Sequence, residues 1–145
     1  MRDIKFRVWD KETKHIHIFG DDIHDAITSE GKTNKIYYYN LQNGCDSLDE
    51  DSDYVLMQYT GLHDKNGQEI YEGDIVKVNE DIRRVFDLKK IMYVEFAEGA
   101  FYLKAEKRIK WNLLRCFPCI VSIEGKMRVE VIGNVWEDSD LLNDN

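Results

Sequence analysis

A chain of 145 residues with 43% apolar and 33% charged side chains has the composition of one globular domain, and it lacks the roughly 18 consecutive apolar residues that a membrane-spanning helix requires. Its formal net charge of −8 weighs against contact with the phosphate backbone of nucleic acids. Because it has three cysteines, an odd number, and an opening segment that alternates charged and apolar residues, we expect reduced thiols, no secretory signal and a location in the cytoplasm.

The first predicted elements are a hairpin and a short helix. Residues 4–9 alternate between apolar and polar side chains, as a half-buried strand does, and residues 15–19 alternate again after a polar break. Residues 21–30 place apolar side chains at helical spacing. Asp21 is available to cap the start of this segment and Gly31 to end it, so we expect a short helix there.

Three consecutive tyrosines, Tyr37, Tyr38 and Tyr39, lie in a predicted strand over residues 35–39 and must present rings on both of its faces. Packing in a core is the first interpretation, because globular interiors need such residues. Exposed aromatic rings also form protein interfaces, so these tyrosines are kept as a speculative interface. The acidic run 46–53 is interpreted as a solvated loop rather than as a cation site or a mimic of phosphates.

Residues 57–78, MQYTGLHDKNGQEIYEGDIVKV, place an Asn-Gly pair and four carboxylates between two apolar runs. A calcium loop of the EF-hand type beginning at Asp64 would need glycine at its sixth position and glutamate at its twelfth, but Glu69 and Ile75 stand there. The pair Asn66-Gly67 instead suits a type I′ turn, in which both residues take positive φ. We therefore expect a hairpin and then a glycine-led entry into the next strand.

From residue 54 onward, short apolar strands alternate with tight glycine turns. Glu98-Gly99 and Glu124-Gly125 mark two hairpins. Residues 106–114 fit a short helix, and residues 79–90 are less regular. This spacing favours a small, strongly bent antiparallel barrel over an open parallel sheet. The strands predicted in this part are 54–60, 75–78, 91–96, 100–104, 120–123 and 127–133.

Cys116 and Cys119 have the C-x-x-C spacing of zinc sites and of redox centres. Structural zinc needs further ligands, and only Cys45 and the four histidines remain, of which His15 and His17 lie on one face of a predicted strand. A redox pair belongs at a strand-to-helix junction, whereas an apolar strand-like run follows here. We therefore expect buried, reduced cysteines, with metal binding and redox chemistry as alternatives, and we predict no cofactor.

A basic region covers residues 82–115, which carry nine Lys/Arg against four Asp/Glu, a net charge of +5 that leaves −13 for the remainder. Aromatic residues lie among these cations, and this combination is used to stack bases and to contact a nucleic-acid backbone. Nucleic-acid binding through residues 82–115 is therefore the alternative function, and an acidic mimic of DNA is a weaker one.

The sequence lacks the short signatures of common enzyme classes. It contains no G-x-G-x-x-G or phosphate-binding P-loop, no G-x-S-x-G turn and no H-E-x-x-H helix. Many carboxylates are present, but abundance alone does not place two of them across a substrate. We therefore predict that the protein is not an enzyme and assign no catalytic residue.

Three stretches together resemble the YopX family, small proteins of bacteriophages and prophages. They are residues 2–11, ending in Trp9-Asp10 and Lys11; residues 57–76, with the Asn-Gly turn and Tyr-Glu-Gly-Asp; and residues 129–137, Val-Glu-Val-Ile-Gly-Asn-Val-Trp-Glu, followed by Leu141-Leu142. The match departs at Asp138-Ser139, where the family usually has Asn-Pro.

This resemblance implies an α+β, mostly β domain over residues 1–145, with a hairpin and helix part over about 1–53 and a Src-homology-3-like barrel over about 54–142. It also implies self-association and imports no activity. We therefore expect a non-enzymatic phage or prophage accessory protein in the bacterial cytoplasm, which acts by forming homo-oligomers or by binding a host or phage protein.

Overall fold

The computed structural model describes residues 3–21, 25–33, 35–40, 44–48, 51–105, 110–111 and 126–143. These residues form antiparallel strands, one α-helix and a C-terminal 3₁₀ helix. No helix among them is long and apolar enough to cross a membrane. The elements are β1 (Phe6–Asp10), β2 (His15–Ile18), β3 (Asp25–Ser29), β4 (Ile36–Asn40), β5 (Gly44–Ser47), β6 (Tyr54–His63), β7 (Glu69–Tyr71), β8 (Asp74–Val78), α1 (Glu80–Phe86), β9 (Ile91–Ala97), β10 (Ala100–Lys104), β11 (Lys110–Trp111), β12 (Val129–Asn134) and the 3₁₀ helix (Ser139–Asn143).

The chain divides into two compact units, which we call the N-terminal unit (Asp3–Gln58) and the C-terminal unit (Tyr59–Asn145). The boundary falls inside β6. In the N-terminal unit, β1 pairs with β2 on one side and with the first half of β6 on the other, and β4 pairs with β3 and β5. The predicted N-terminal hairpin is therefore confirmed.

The helix predicted over residues 21–30 is wrong, because Asp25–Ser29 form strand β3. Ala26 lies opposite Tyr39, and Thr28 lies opposite Tyr37, in an antiparallel ladder with β4. The helical spacing involved only a few apolar residues, and the β-branched side chains in this segment also suit a strand. Pairing with the tyrosine strand satisfies the backbone and outweighs the weak local preference.

Two further predictions about helices are also corrected. The segment 79–90, predicted as irregular, contains α1, which places Glu80 and Asp81 in its first turn and buries Ile82. Acidic residues there interact favourably with the helix dipole. Conversely, Lys110–Trp111, within the helix predicted over 106–114, form strand β11 and pair with β10.

The C-terminal unit is built on a five-stranded antiparallel sheet in the order β11-β10-β9-β8-β12, which curls into a half-barrel. Strand β8 is covered on both faces, because the consecutive residues Ile75 and Val76 point to opposite faces and both are 0% exposed. The core cluster of this unit consists of Ile70, Val76, Val78, Ile82, Leu88, Met92, Val94, Ala100, Tyr102, Leu103, Ala105 and Val129.

Two glycine turns gave different outcomes. The hairpin at Glu98-Gly99 is confirmed: Ala97 pairs with Ala100, and the two turn residues have φ of 52° and 78°. The type I′ turn predicted at Asn66-Gly67 is wrong, because Gly67 has φ of 83° whereas Asn66 is not among the described residues with positive φ. The Gly67 amide instead donates to the Asp64 carbonyl, which closes a type I turn with glycine at its last position.

The end of β12 is closely packed on the turn that follows it. Ile132 is an extra residue in the ladder with β8, because Val131 pairs with Val76 while Gly133 pairs with Ile75. A Cβ atom built on Gly133 would lie 2.5 Å from an Asp138 carboxylate oxygen and 2.9 Å from its Cβ. The same Asp138 carboxylate accepts a hydrogen bond from the Asn134 amide at 3.0 Å. With Asp138 in this position, a Cβ atom at residue 133 would clash with its side chain, which explains the glycine there.

Candidate functional site

The β1–β2 hairpin places three polar side chains on one face of its sheet. Asp10 lies opposite His15, and Val8 lies opposite His17, so the side chains of Asp10, His15 and His17 share a face. The two imidazole rings meet edge to face with centroids 4.9 Å apart. His17 Nε2 lies 3.8 Å from Asp10 Oδ2.

Asp10 is held by the turn that joins the two strands. It is 4% exposed, and its Oδ1 accepts hydrogen bonds from the amides of Glu12 at 2.9 Å and Thr13 at 3.0 Å. Partial burial alone raises the pKa of Asp10, but the hydrogen bonds from Thr13 and Glu12, together with nearby His17, lower it more. The net pKa therefore lies below its ordinary value of 3.8, and Asp10 presents a carboxylate to His17.

Tyr38 packs against these polar groups. Its ring centroid lies 6.3 Å from that of His17 and 4.9 Å from that of Tyr54. Its hydroxyl donates a 2.7 Å hydrogen bond to Asp25 Oδ1 on the neighbouring strand β3. Tyr38 is 1% exposed and therefore belongs to the core of the N-terminal unit.

A cleft of about 310 Å³ opens beside the histidines, and it is lined by His15, Ile16, His17, Ile18, Asp21 and Asp25. Asp21 is placed by a turn in which its amide donates to the Ile18 carbonyl at 3.1 Å. The lining combines imidazole rings, aliphatic side chains and carboxylates, which suits a ligand with a positive charge and an apolar stem. Among the described residues, no three His, Cys, Asp or Glu side chains are arranged to hold a metal ion.

The structure separates the three tyrosines of the predicted interface. Tyr38 is buried, so it cannot meet a partner directly. Tyr37 is half-buried, and Tyr39 is 36% exposed. Since residues two apart on a strand share a face, Tyr37 and Tyr39 lie on the face of the sheet opposite to Tyr38. The interface itself stays a prediction, and it now depends on Tyr39 and Tyr37.

Carboxylates of the segment 57–78 bind the backbone of the C-terminal unit. Asp64 is 2% exposed, and its Oδ1 accepts from the amides of Asn66 at 2.8 Å and Gln68 at 2.9 Å. Its Oδ2 accepts from the Val131 amide of β12 at 3.0 Å. Asp74 is 1% exposed and accepts from the Tyr71 amide at 2.7 Å. These two side chains have a structural role, which agrees with the interpretation of this segment as a turn.

Three described cations of the basic region, Arg83, Arg84 and Lys104, bind carboxylates of the same chain. Hydrogen bonds from Arg83 and Arg84 to Glu80, at 2.7 Å and 2.9 Å, lower the pKa of Glu80 to about 2. Lys104 is 8% exposed and bonds to Glu95 at 2.9 Å, which raises the pKa of the lysine. Such pairing reduces the positive charge available to a phosphate backbone.

Several predicted features lie outside the described residues. Cys116 and Cys119, with the metal and redox alternatives attached to them, belong to this group. So do the predicted strand 120–123 and the hairpin at Glu124-Gly125. The acidic run 46–53 is described only in part.

The cleft was not found from the sequence, although part of its signal was present. The alternation His15-x-His17 correctly predicted two imidazoles on one strand face. Asp21 and Asp25, in contrast, lie in the segment 21–30, for which the sequence predicts a helix. Only the pairing of β3 with β4 brings Asp25 to Tyr38 and so to the cleft.

The stretches that resemble a known family meet one another within each unit. Arg7 of the first stretch lies opposite Met57 of the second, and Asp74 of the second lies opposite Asn134 of the third. Asn134 is 7% exposed, and its side-chain oxygen accepts from the amides of Trp136 and Glu137, both at 3.0 Å. The residues of the resemblance therefore build strand pairs and turns.

Known proteins resemble this chain in sequence and in structure. The family model described as YopX protein matches residues 5–143. The crystal structure of protein EF1440 from Enterococcus faecalis is similar over 98% of this chain and 99% of that chain, with 25% sequence identity and a TM-score of 0.55. Comparison with curated proteins gave no match.

Proposed function

The chain belongs to the YopX family, and we propose that it acts without catalysis, by assembling with itself or by binding another protein. We place this role in a bacteriophage or prophage and in the cytoplasm of the bacterial host, as the family resemblance suggests. We also propose that the curled five-stranded sheet corresponds to a Src-homology-3-like barrel, a fold that supports many binding functions.

The exposed face of strand β4 carries this proposal. Tyr39 is 36% exposed beside half-buried Tyr37, and Ala26 and Thr28 of β3 lie opposite them and are exposed. Tyrosine is enriched in protein interfaces because it supplies a large contact area and a hydroxyl group with little loss of side-chain freedom. The face thus combines aromatic rings with small neighbours, and a flat partner surface can contact it.

Self-association is the form of the proposal that can be tested first. Light scattering at micromolar concentration should give a mass above that of one chain, and Tyr39→Lys should shift the mass toward the monomer. Val85→Lys is the matched control, because Val85 is 74% exposed on α1 in the other unit. A monomer at every concentration for the unmodified chain would exclude self-association.

Binding of a different protein needs a comparison of variants. If the chain is monomeric, partners captured from a bacterial extract should be retained by Val85→Lys and lost by Tyr39→Lys. Equal capture by both variants would remove the support that Tyr39 gives to the proposal. Nucleic-acid binding by residues 82–115 has less support, since three of the described cations there, Arg83, Arg84 and Lys104, are paired with carboxylates.

A further inference from the structure

The cleft beside His15 and His17 follows the edge of strand β2. Four consecutive residues, His15 to Ile18, line it. Successive side chains of a strand point to opposite faces, so a cleft that touches all four lies along the strand edge. In the described part of the chain, β2 is an edge strand of its sheet, and β3 is an edge strand of the other sheet in this unit. Edge strands offer backbone N–H and C=O groups to an added strand.

The charge of the N-terminal unit favours a positively charged ligand. Residues 3–58 contain twelve Asp/Glu and six Lys/Arg, a net charge of −6, so the rest of the chain carries only −2 of the total of −8. Asp21 and Asp25 contribute carboxylates to the cleft itself. A concave surface lined by one sign of charge raises the local concentration of the opposite sign.

We propose that this cleft binds the arginine side chain of a partner segment that lies extended along β2. The carboxylates of Asp21 and Asp25 would accept hydrogen bonds from the guanidinium group, which has planar donors suited to carboxylates. The Tyr38 hydroxyl occupies one oxygen of Asp25, and a carboxylate can accept further bonds. Ile18, which is 45% exposed, would contact the aliphatic stem of the arginine.

The size and the composition of the cleft agree with a single side chain. A volume of about 310 Å³ is at the lower end for ligand sites, and it is too small for a helix or a folded domain. The imidazole rings of His15 and His17 add flat surfaces, and a guanidinium plane stacks on such rings. Main-chain hydrogen bonds along β2 would supply affinity, and the arginine would supply specificity.

The experiment uses the full chain and a defined probe, an acetylated pentapeptide Thr-Val-Arg-Val-Thr with an amidated end. Binding is followed by the shifts of backbone amide signals in nuclear magnetic resonance spectra. We expect shifts at residues 15–18 and 25–29 that saturate with peptide. Replacing the arginine of the peptide by citrulline keeps the shape and removes the charge, and should weaken binding at least tenfold.

Matched variants of the protein separate a local effect from a general effect of charge. Asp21→Asn should weaken binding about tenfold, the loss expected for one charge-assisted hydrogen bond. Asp51→Asn removes the same charge from an exposed residue of the same unit and should leave the affinity within a factor of two. Free arginine should bind more weakly than the peptide, because it lacks the main-chain bonds.

The inference is overturned if the citrulline peptide binds as tightly as the arginine peptide, or if Asp21→Asn and Asp51→Asn have equal effects. If free arginine binds as tightly as the peptide, main-chain hydrogen bonds along β2 add no affinity, and the proposed position of the partner segment along this strand is overturned. The inference rests on the proposed role in protein binding but is tested apart from it. Tyr39→Lys should alter assembly and not peptide binding, and Asp21→Asn should do the reverse.

Discussion

The two units of the chain bury apolar and polar side chains in different proportions. The C-terminal unit encloses a large apolar cluster, in which Val76 and Val129 are 0% exposed, and its described buried polar residues are Asp64, Asp74, Lys104 and Asn134. The described apolar core of the N-terminal unit is Val8, Trp9, Tyr38 and Met57, next to the buried polar residues Arg7, Asp10 and Ser52. Apolar burial is insensitive to charge, whereas polar pairs depend on protonation and geometry. The N-terminal unit, whose described apolar core is the smaller one, should therefore open more readily.

The largest expected effect qualifies this comparison, because the C-terminal unit also depends on buried carboxylates, of which Asp64 accepts three hydrogen bonds from backbone amides. Asp64→Asn replaces an acceptor oxygen by an NH₂ donor and sets it against backbone amides. Loss of charge-assisted bonds to buried amides should lower the free energy of unfolding by about 4 kcal/mol. Chemical denaturation measures this, with exposed Asp140→Asn as the control. Equal stability of the two variants would contradict the role given to Asp64.

The next largest effect tests how much buried apolar side chains stabilise each of the two units. Ile75→Ala removes a fully buried side chain and leaves a cavity, so we expect the C-terminal unit to lose about 3 kcal/mol. Val8→Ala, the parallel change in the N-terminal unit, removes less volume and should cost about 2 kcal/mol. Hydrogen exchange of amides in β8 and in β1 reports the two units separately. A larger loss at Val8 than at Ile75 would reverse the expected order.

A smaller effect tests the polar interior of the N-terminal unit. Tyr38→Phe keeps the ring and removes the hydroxyl that bonds to Asp25, so we expect a loss of about 1 kcal/mol. Tyr37→Phe is the control, because the Tyr37 side chain is only half-buried on the opposite face. Both variants are measured by hydrogen exchange of β4 amides. If Tyr37→Phe costs as much as Tyr38→Phe, the bond to Asp25 contributes nothing specific.

The smallest expected effect is the response of the N-terminal unit to acid. The folded pKa of Asp10 is below the ordinary value of 3.8, so its contribution to stability is complete above that value. The contribution is lost as the pH falls through the folded pKa. Hydrogen exchange of β1 and β2 amides should therefore speed up below about pH 4, relative to β8 amides. Asp10→Asn should weaken this dependence, and an unchanged acid response would argue against Asp10 as its source.

Local patterns predicted the strands of this protein better than its helices. The alternation in β1 and β2 and the turn at Glu98-Gly99 were sufficient, because each depends on neighbours in sequence. The local pattern predicts a helix where strand β3 lies, because the pairing of β3 with the tyrosine strand is a tertiary interaction. Helix α1 spans only seven residues, so the helical spacing of Ile82, Val85 and Phe86 covers little more than one turn and gives a weak local signal. The cleft could not be predicted for the same reason, because its lining depends on the tertiary placement of Asp25 beside β2.

The turn at Asn66-Gly67 shows a different limit. The pair is typical of a type I′ turn, but Asp64 offers two oxygens to the loop amides and to β12 at once. These bonds select a longer loop with a type I turn, in which only Gly67 needs positive φ. The choice depends on the Val131 amide, which is 67 residues away in the chain.

The contact between Gly133 and Asp138 has a consequence for how sequences of this family can diverge. Any side chain at position 133 meets the Asp138 carboxylate and its Cβ, so the two positions cannot vary independently. A larger residue at 133 would need a smaller one at 138, and that change would also remove the acceptor for the Asn134 amide. At position 138 the family resemblance leads us to expect asparagine in place of this chain's aspartate. Asparagine also carries a side-chain oxygen that can accept from the Asn134 amide, so Asp138→Asn should keep this turn.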